Sequence, residues 1–396
     1  MLDIWPALPI YIRIYGSSDT INDNVLAALK QHDRICKIHA QNVPDLELKD
    51  LVGAMQVTFP ALTDLSIRSF GDKVQCPESF LGGSAPNLRS LDLSYITVPA
   101  LPNLLLTSPS LVNLSLYDIP HSGYVSFDAM VDFLSSLTRL ETLEINFPST
   151  QPPPAQSSCP TPLTRIIFPV LRGLILGGTK ECLDQSLALI AAPPLDYVYI
   201  GFIKPIIFDI SQISQWIGRT EMFKAFDQVY MFFSNAYLNV MLSSRKGATS
   251  GKMLRLSLTW IDSAWKLQEL ALDSHDRFRE PFHLCNLKRT LPSSWTKVMG
   301  NAPWLYLVRL FTATEYIYLS QGVAALVAPA LQELNGTWVI EVLPVLRNIF
   351  VNHLDALGPV QDAIGQFVAR RQLLSGHPID VQRWASGEGI NKLGRR

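Results

Sequence analysis

One short frame of apolar residues recurs along the chain, and its spacing restricts the possible folds more than any other feature. The frame reads apolar-x-x-apolar-x-apolar. Its first positions are Ile35, Leu62, Leu88, Leu111, Leu140, Leu171, Leu195, Phe226 and Met253, with later copies at Thr314 and Leu346. From Ile35 to Met253 these positions are 27, 26, 23, 29, 31, 24, 31 and 27 residues apart. Leucine-rich repeats have a period of roughly 20–29 residues, so the spacing predicts a stacked repeat array with small insertions.

Proline provides a second signal that does not depend on the leucines. It stands two residues before the first apolar position in six copies, at Pro60, Pro86, Pro109, Pro169, Pro193 and Pro344. Because proline disfavours helix in the residue before it and cannot continue a helix, it ends one element and prepares the next. We therefore expect each strand to begin just after a proline-containing turn.

Helical segments lie between the predicted strands. Phe127, Met130, Val131, Leu134 and Leu137 follow the spacing of three and four residues that places side chains on one face of a helix. A similar stripe is formed by Leu48, Leu51, Val52 and Met55. The predicted fold class is therefore α/β: an open leucine-rich-repeat solenoid with a parallel sheet on its concave face and helices on its convex face.

The whole chain, residues 1–396, is predicted to be a single irregular leucine-rich-repeat domain. Residues 148–162 are rich in proline and serine and lack periodicity, which predicts an inserted loop rather than a domain linker. Residues 273–302 fit no repeat frame and are left unassigned.

The predicted binding surface follows from the alternation of side chains along a strand. Positions beside the inward apolar residues are small or polar in early copies, as at Ser66 and Asp92, and aromatic in later ones. Aromatic side chains are enriched in binding hot spots. The predicted partner-binding residues of the concave face are Tyr117, Tyr197, Tyr199, Tyr230, Phe232, Tyr316, Tyr318 and Phe350. The strands of Tyr197, Tyr199, Tyr230 and Phe232 are expected to be adjacent, unless a loop or C-terminal segment covers these rings.

Composition argues against several classes of function. The net charge of -1 and the 17% charged residues do not favour nucleic acid as a partner. The five cysteines form no CxxC pair, and the seven histidines show no metal-ligand spacing, so we predict free or buried thiols and no metal, cofactor or catalytic residue. We expect no signal peptide and no membrane span, and hence an intracellular protein, cytoplasmic or nuclear.

Five longer sequence segments resemble those of a known protein family. They are LDIWPALPI (2–10), FPALTDLSI (59–67), FLGGSAPNLRSLDL (80–93), LVNLSLYDIPHSGYVS (111–126) and FVARRQLLSGHPIDVQRW (367–384). Together they resemble the repeat region of F-box-type leucine-rich-repeat proteins, which are abundant in mushroom-forming fungi. In that family the F-box docks on the adaptor of a cullin–RING ubiquitin ligase, and the repeats hold a substrate.

The resemblance implies a non-catalytic scaffold that recognises a protein partner. No F-box is present in this chain, so contact with the ligase adaptor is expected only if an F-box lies upstream. The first alternative is a truncated repeat remnant with no ligase role and no partner. An enzyme is a further alternative, which the motif search does not favour.

Overall fold

A computed structural model describes residues 8–16, 23–69, 74–117, 127–147, 165–191, 195–203, 216–217, 219–220, 228–233, 237–243, 253–259, 314–319, 321–352 and 358–384. The fold is mixed α/β, with helices and a mostly parallel sheet. The chain divides into two compact units, where the sequence predicted one continuous domain. Unit 1 is Met1–Gly178 with Ala188–Pro193, and unit 2 is Thr179–Leu187 with Pro194–Arg396. The predicted loop 148–162 and the unassigned segment 273–302 lie outside the described residues.

Unit 1 is built on a parallel sheet in the order β1-β2-β3-β5-β7-β8-β9. Its strands are β1 (Ile10–Tyr15), β2 (Ile35–Val43), β3 (Asp64–Ser69), β5 (Ser90–Ser94), β7 (Asn113–Tyr117), β8 (Thr142–Asn146) and β9 (Gly173–Gly178). Two short strands, β4 (Val74–Gln75) and β6 (Ile96–Thr97), form a separate parallel pair. The helices are α1 (Asp23–Leu29), α2 (Asp45–Ala54), α3 (Leu101–Leu106) and α4 (Phe127–Ser136), with a 3-10 helix at Phe80–Gly83.

The apolar frame forms the core of unit 1, as its periodicity predicted. The second apolar positions lie directly opposite one another on neighbouring strands, so that Leu91 of β5 faces Leu114 of β7. From β3 to β9 this buried row, termed the leucine ladder, consists of Leu65, Leu91, Leu114, Leu143 and Leu174. A second row two residues further on consists of Ile67, Leu93, Leu116, Ile145 and Leu176, and it is also buried. The predicted burial of Leu91 and Leu114 in neighbouring parallel strands is confirmed.

The recurring prolines occupy tight turns that precede the strands. The Leu62 amide donates to the Phe59 carbonyl at 3.1 Å, and the Leu88 amide donates to the Ala85 carbonyl at 3.1 Å. Pro60 and Pro86 are thus the second residues of four-residue turns, the position that a fixed φ near -65° favours. The same backbone bond, at 3.2 Å, joins Leu111 to Ser108 around Pro109. Proline therefore sets the phase at which these strands begin.

Unit 2 contains a mixed sheet in the order β10-β13-β12-β11-β14-β15-β16. Its strands are β10 (Tyr197–Ile203), β11 (Gln228–Phe233), β12 (Tyr237–Ser243), β13 (Met253–Thr259), β14 (Tyr316–Leu319), β15 (Asn348–Asn352) and β16 (Asp380–Trp384). Helix α5 (Lys180–Leu189) follows β9 in sequence. The later helices are α6 (Gln321–Glu333), α7 (Trp338–Glu341) and α8 (Pro359–Ser375).

The middle of the unit 2 sheet departs from the parallel arrangement that the repeat frame predicted. Strand β12, which the frame missed, pairs antiparallel with both β11 and β13. Consequently β10 pairs with β13, and Tyr199 lies opposite Arg255 rather than beside Tyr230. The prediction that the strands of Tyr199 and Tyr230 are adjacent is wrong. Two strand-forming runs separated by three residues favour a hairpin, and that local pairing takes precedence over the longer crossover of a parallel repeat.

A buried arginine joins two elements at the C-terminal side of unit 2. Arg371 of α8 has a relative exposure of 1%. Its guanidinium donates to the carbonyls of Val342 at 2.9 Å and Pro344 at 2.6 Å, just beyond the end of α7. These carbonyls have no partner within a helix, so a cation that bonds them stabilises the helix end and the following turn.

Core truncation is expected to destabilise the protein strongly. Leu91→Ala or Leu114→Ala should lower the free energy of unfolding by about 2–5 kcal/mol, because each removes buried methyl groups and leaves a cavity. Leu46→Ala, on the exposed surface of α2, is the matched control and should change it by less than about 0.5 kcal/mol. Urea denaturation measures all three. Equal effects at Leu46 and Leu91 would contradict the leucine ladder.

Replacing the buried Arg371 is expected to destabilise the protein. Arg371→Met should lower the free energy of unfolding by about 2 kcal/mol, since it leaves the carbonyl of the buried Val342 without its donor. Arg347→Met is the control, because the exposed Arg347 forms a loose ion pair with Glu315 at 3.7 Å. Such a pair contributes about 0–1 kcal/mol. If Arg371→Met lowers the free energy of unfolding no more than Arg347→Met does, the hydrogen bonds from α8 do not stabilise the end of α7.

Candidate functional site

Polar and charged side chains line one face of the unit 1 sheet. They alternate with the leucine ladder and therefore lie on the opposite side of the strands. Strand pairing places Ser66, Asp92, Ser115 and Glu144 in one row across β3, β5, β7 and β8. This surface, from β1 to β8, is termed the polar face.

Asp92 organises the centre of the polar face. Its Oδ2 accepts hydrogen bonds from Nε and Nη2 of Arg68 at 2.9 and 2.5 Å and from Oγ of Ser66 at 3.0 Å. Arg68 and Asp92 are both less than one-fifth exposed, so their ion pair is shielded from solvent more than a surface pair. This carboxylate therefore holds two strands of the face in a fixed arrangement.

A second carboxylate, Glu144, fixes the next two strands. Its Oε2 accepts from Ser115 Oγ at 3.0 Å, and its Oε1 accepts from the hydroxyl of Tyr117. Burial, followed by the negative charge of Glu144, raises the pKa of Tyr117 well above its usual value. Tyr117 therefore stays protonated and serves as a hydrogen-bond donor within the face.

Strand β1, at the edge of the described sheet, keeps its residues on the polar face exposed. Tyr11 and Tyr15 are 48% and 39% exposed, and Arg13 between them is exposed as well. The Arg13 guanidinium carbon lies 4.6 Å from the centre of the Tyr15 ring, a cation–π geometry. The Tyr11 hydroxyl lies 3.2 Å from Nδ1 of His39 on β2. The accessible end of the face thus combines two tyrosines, a cation and an imidazole.

The neighbouring strands contribute an ion pair to this end. Lys37 of β2 and Asp64 of β3 are joined at 3.2 Å, and the Lys37 side chain remains 45% exposed. Burial lowers the pKa of His39 below 6.5, and Lys37 and Arg13 act in the same direction, whereas Asp64 opposes them. His39 is therefore neutral at pH 7 and able to accept or donate a hydrogen bond.

The structure buries several of the aromatic residues that the sequence predicted as an exposed binding surface. Tyr117, Tyr199 and Tyr318 are only 5%, 5% and 4% exposed. The expectation that these rings are open to a partner is therefore wrong in this structure. Tyr197, Tyr316 and Phe350 are half-buried. The side chains of Tyr230 and Phe232 lie outside the described residues.

The burial of the rings has a simple packing cause. Parallel neighbours are about 4.8 Å apart, which is less than the length of an aromatic side chain, so a ring lies over its neighbours. Tyr318 stacks on Phe350 of the next strand, with ring centres 4.6 Å apart. The Tyr199 ring lies over Gly201, where an added Cβ would come within 2.9 Å of the ring. Glycine at 201 is therefore required for this close approach.

The exposed residues of β1, Tyr11, Arg13 and Tyr15, are not among the binding residues predicted from the sequence. The apolar frame begins at Ile35 and therefore does not include β1. The signal was nevertheless present in residues 10–15, IYIRIY, where isoleucine alternates with tyrosine and arginine. Strict alternation over six residues is typical of a half-buried strand.

Three cysteines fall in the described residues, and all three are free thiols. Cys76 and Cys182 are buried, and Cys36 is half-buried. Burial raises the pKa of the Cys76 thiol to about 12. Within the described ranges, no three or more His, Cys, Asp or Glu side chains are grouped so that they could hold a metal ion. No helix of that part is long and apolar enough to cross a membrane.

A scan against protein-family models gives no match. A search of curated proteins finds no significant similarity to the chain.

The lowered pKa of His39 predicts an acid-dependent loss of stability. Well above pH 6.5 the imidazole is neutral in both the folded and the unfolded chain. Below that pH the unfolded chain binds the proton first, so stability decreases until the pH reaches the folded pKa. His39→Gln should therefore lose less stability than the wild type between pH 7 and 5 in urea denaturation, an interval of about two units around the histidine pKa.

An NMR titration of the imidazole tests the same point directly. The midpoint for His39 should lie below 6.5, and Asp64→Asn should lower it further because Asp64 favours the charged form. A midpoint at or above 6.5, or a rise on removing Asp64, would contradict the described electrostatics of this end of the face.

Proposed function

We propose that the protein is a non-catalytic scaffold that recognises a protein partner, and that it is an open leucine-rich-repeat solenoid. In this proposal the parallel strands line the concave face and the helices form the convex face. The repeat spacing and the parallel crossovers of unit 1 support it. So does the resemblance to the substrate-binding repeat region of F-box ubiquitin-ligase receptors.

The observation that carries the proposal is the polar face of unit 1. Its centre is held rigid by the Arg68–Asp92 ion pair and by the bonds to Glu144. Its edge keeps Tyr11, Arg13 and Tyr15 exposed. Tyrosine and arginine are the side chains that most often contribute strongly to protein interfaces, and a preformed surface loses little entropy on binding.

Partner recognition can be tested with a double variant of the exposed tyrosines. The wild-type chain and Tyr11→Ala/Tyr15→Ala would be tagged, recovered from cells of the source organism and compared by quantitative mass spectrometry. We expect the recovery of at least one protein to fall by about tenfold in the variant, because exposed tyrosines at an interface are typical hot spots. The recovered protein would then be purified and its affinity for both chains measured by calorimetry.

The matched control removes two exposed apolar side chains that lie outside the polar face. Leu46→Ala/Val57→Ala should leave both recovery and affinity unchanged. If the two double variants lose the partner equally, recognition does not involve the polar face. If no protein is recovered above background with any chain, the alternative of a repeat remnant without a partner is favoured.

A further inference from the structure

The edge strand β1 presents its main chain as well as its side chains. The Ile10 amide donates to the Arg34 carbonyl and the Gly16 amide donates to the Gln41 carbonyl, both at 2.8 Å, on the side of β2. In a parallel ladder both main-chain groups of a residue point to the same side, and successive residues alternate. The amides and carbonyls of Tyr11, Arg13 and Tyr15 therefore point away from β2, toward a side where β1 has no strand neighbour among the described residues.

These three residues also share one face of the sheet. Tyr11, Arg13 and Tyr15 are exposed, whereas Ile12 and Ile14 between them are buried. A strand added at this edge would gain main-chain hydrogen bonds to β1, and its side chains would contact two tyrosines and an arginine. Strand addition of this kind takes its affinity from the main chain and its specificity from alternate side chains.

The charge at the edge selects the chemistry of the added strand. Arg13 forms no ion pair with any described residue, while Lys37 on β2 is paired with Asp64. The Arg13 guanidinium lies over the Tyr15 ring, and a carboxylate would bind its N–H edge. An opposite charge directly across a strand pair is favourable and a like charge is unfavourable.

The same argument disfavours one pairing of β1 with a second copy of this chain. A two-fold antiparallel pairing of β1 with its copy, centred on Arg13, would place one guanidinium directly opposite the other. A strand with a carboxylate at that position and β-branched residues two positions away on either side would instead match Tyr11, Arg13 and Tyr15 in turn.

We propose that β1 is a strand-addition site for an extended partner segment with a carboxylate opposite Arg13 and apolar side chains against Tyr11 and Tyr15. The inference rests on the proposed recognition function and names the chemistry of the segment recognised.

Short labelled peptides test the charge requirement on the intact chain. The probe is Val-Thr-Glu-Thr-Val with blocked ends, compared with versions carrying glutamine or lysine at the centre, and binding is followed by fluorescence anisotropy. We expect the glutamate peptide to bind at least about tenfold more tightly than the lysine peptide, since the charge opposite Arg13 is reversed. Arg13→Glu should invert this order, whereas Arg89→Glu, a charge reversal on another exposed arginine of unit 1, should preserve it.

Methylated peptides separate strand addition from simple side-chain contact. Two sets of peptides are N-methylated on alternate residues. One set loses the amide hydrogens that face β1, and the other set loses the amide hydrogens that face away from it. Only one of the two sets should abolish binding, and that set reveals whether the added strand is antiparallel or parallel. Tolerance of both sets would overturn strand addition. So would the absence of saturable binding up to about 1 mM peptide, or concentration-dependent dimers in sedimentation that are lost in Arg13→Glu.

Failure of this inference can be told apart from failure of the proposed function. A partner whose capture depends on Tyr11 and Tyr15, together with peptides that do not bind, overturns the strand-addition site and leaves the scaffold role standing. In the opposite outcome, peptides bind in the predicted charge order while neither the wild type nor any variant recovers a partner. That result supports the strand-addition site and overturns the proposed scaffold role in the cell.

Discussion

Apolar side chains that stack at the same register position on successive parallel strands hold unit 1 together. Leu91 faces Leu114, and each leucine in the row is packed between its counterparts on the neighbouring strands. This alignment requires the chain to return to the same end of the sheet before every strand, which the helices and proline turns accomplish. Because alternate residues point to opposite faces, the register of the leucines also sets the register of the polar face. The candidate site therefore depends on the core.

The position of a strand in the sheet then decides what its polar-face residues can do. Tyr117 and Glu144 have strands on both sides, and their polar groups bond to each other. Tyr11 and Tyr15 have a described strand on one side only, and they stay exposed. The same residue type is thus a structural donor in the interior of the sheet and a candidate contact residue at its edge. Aromatic content alone does not distinguish the two.

Unit 2 shows how local pairing can override a repeat pattern. Its apolar residues still align in rows across the sheet: Leu242 of β12 lies between Leu254 of β13 and Val229 of β11. An antiparallel strand can supply these side chains as well as a parallel one, because side-chain alternation is the same in both. Further along the chain, the buried Arg371 donates hydrogen bonds to carbonyls beyond the end of α7.

The sequence by itself determined the mixed α/β class, the parallel strands of unit 1, the helices around Leu48 and Met130, and the burial of Leu91 and Leu114. These features follow from periodicity and proline placement, which act over a few residues and can be read locally. Only the tertiary structure decided that β12 enters the sheet antiparallel and that Tyr199 is buried. Strand order and ring exposure depend on neighbours that are distant in sequence, so residues with the same local pattern have different surroundings.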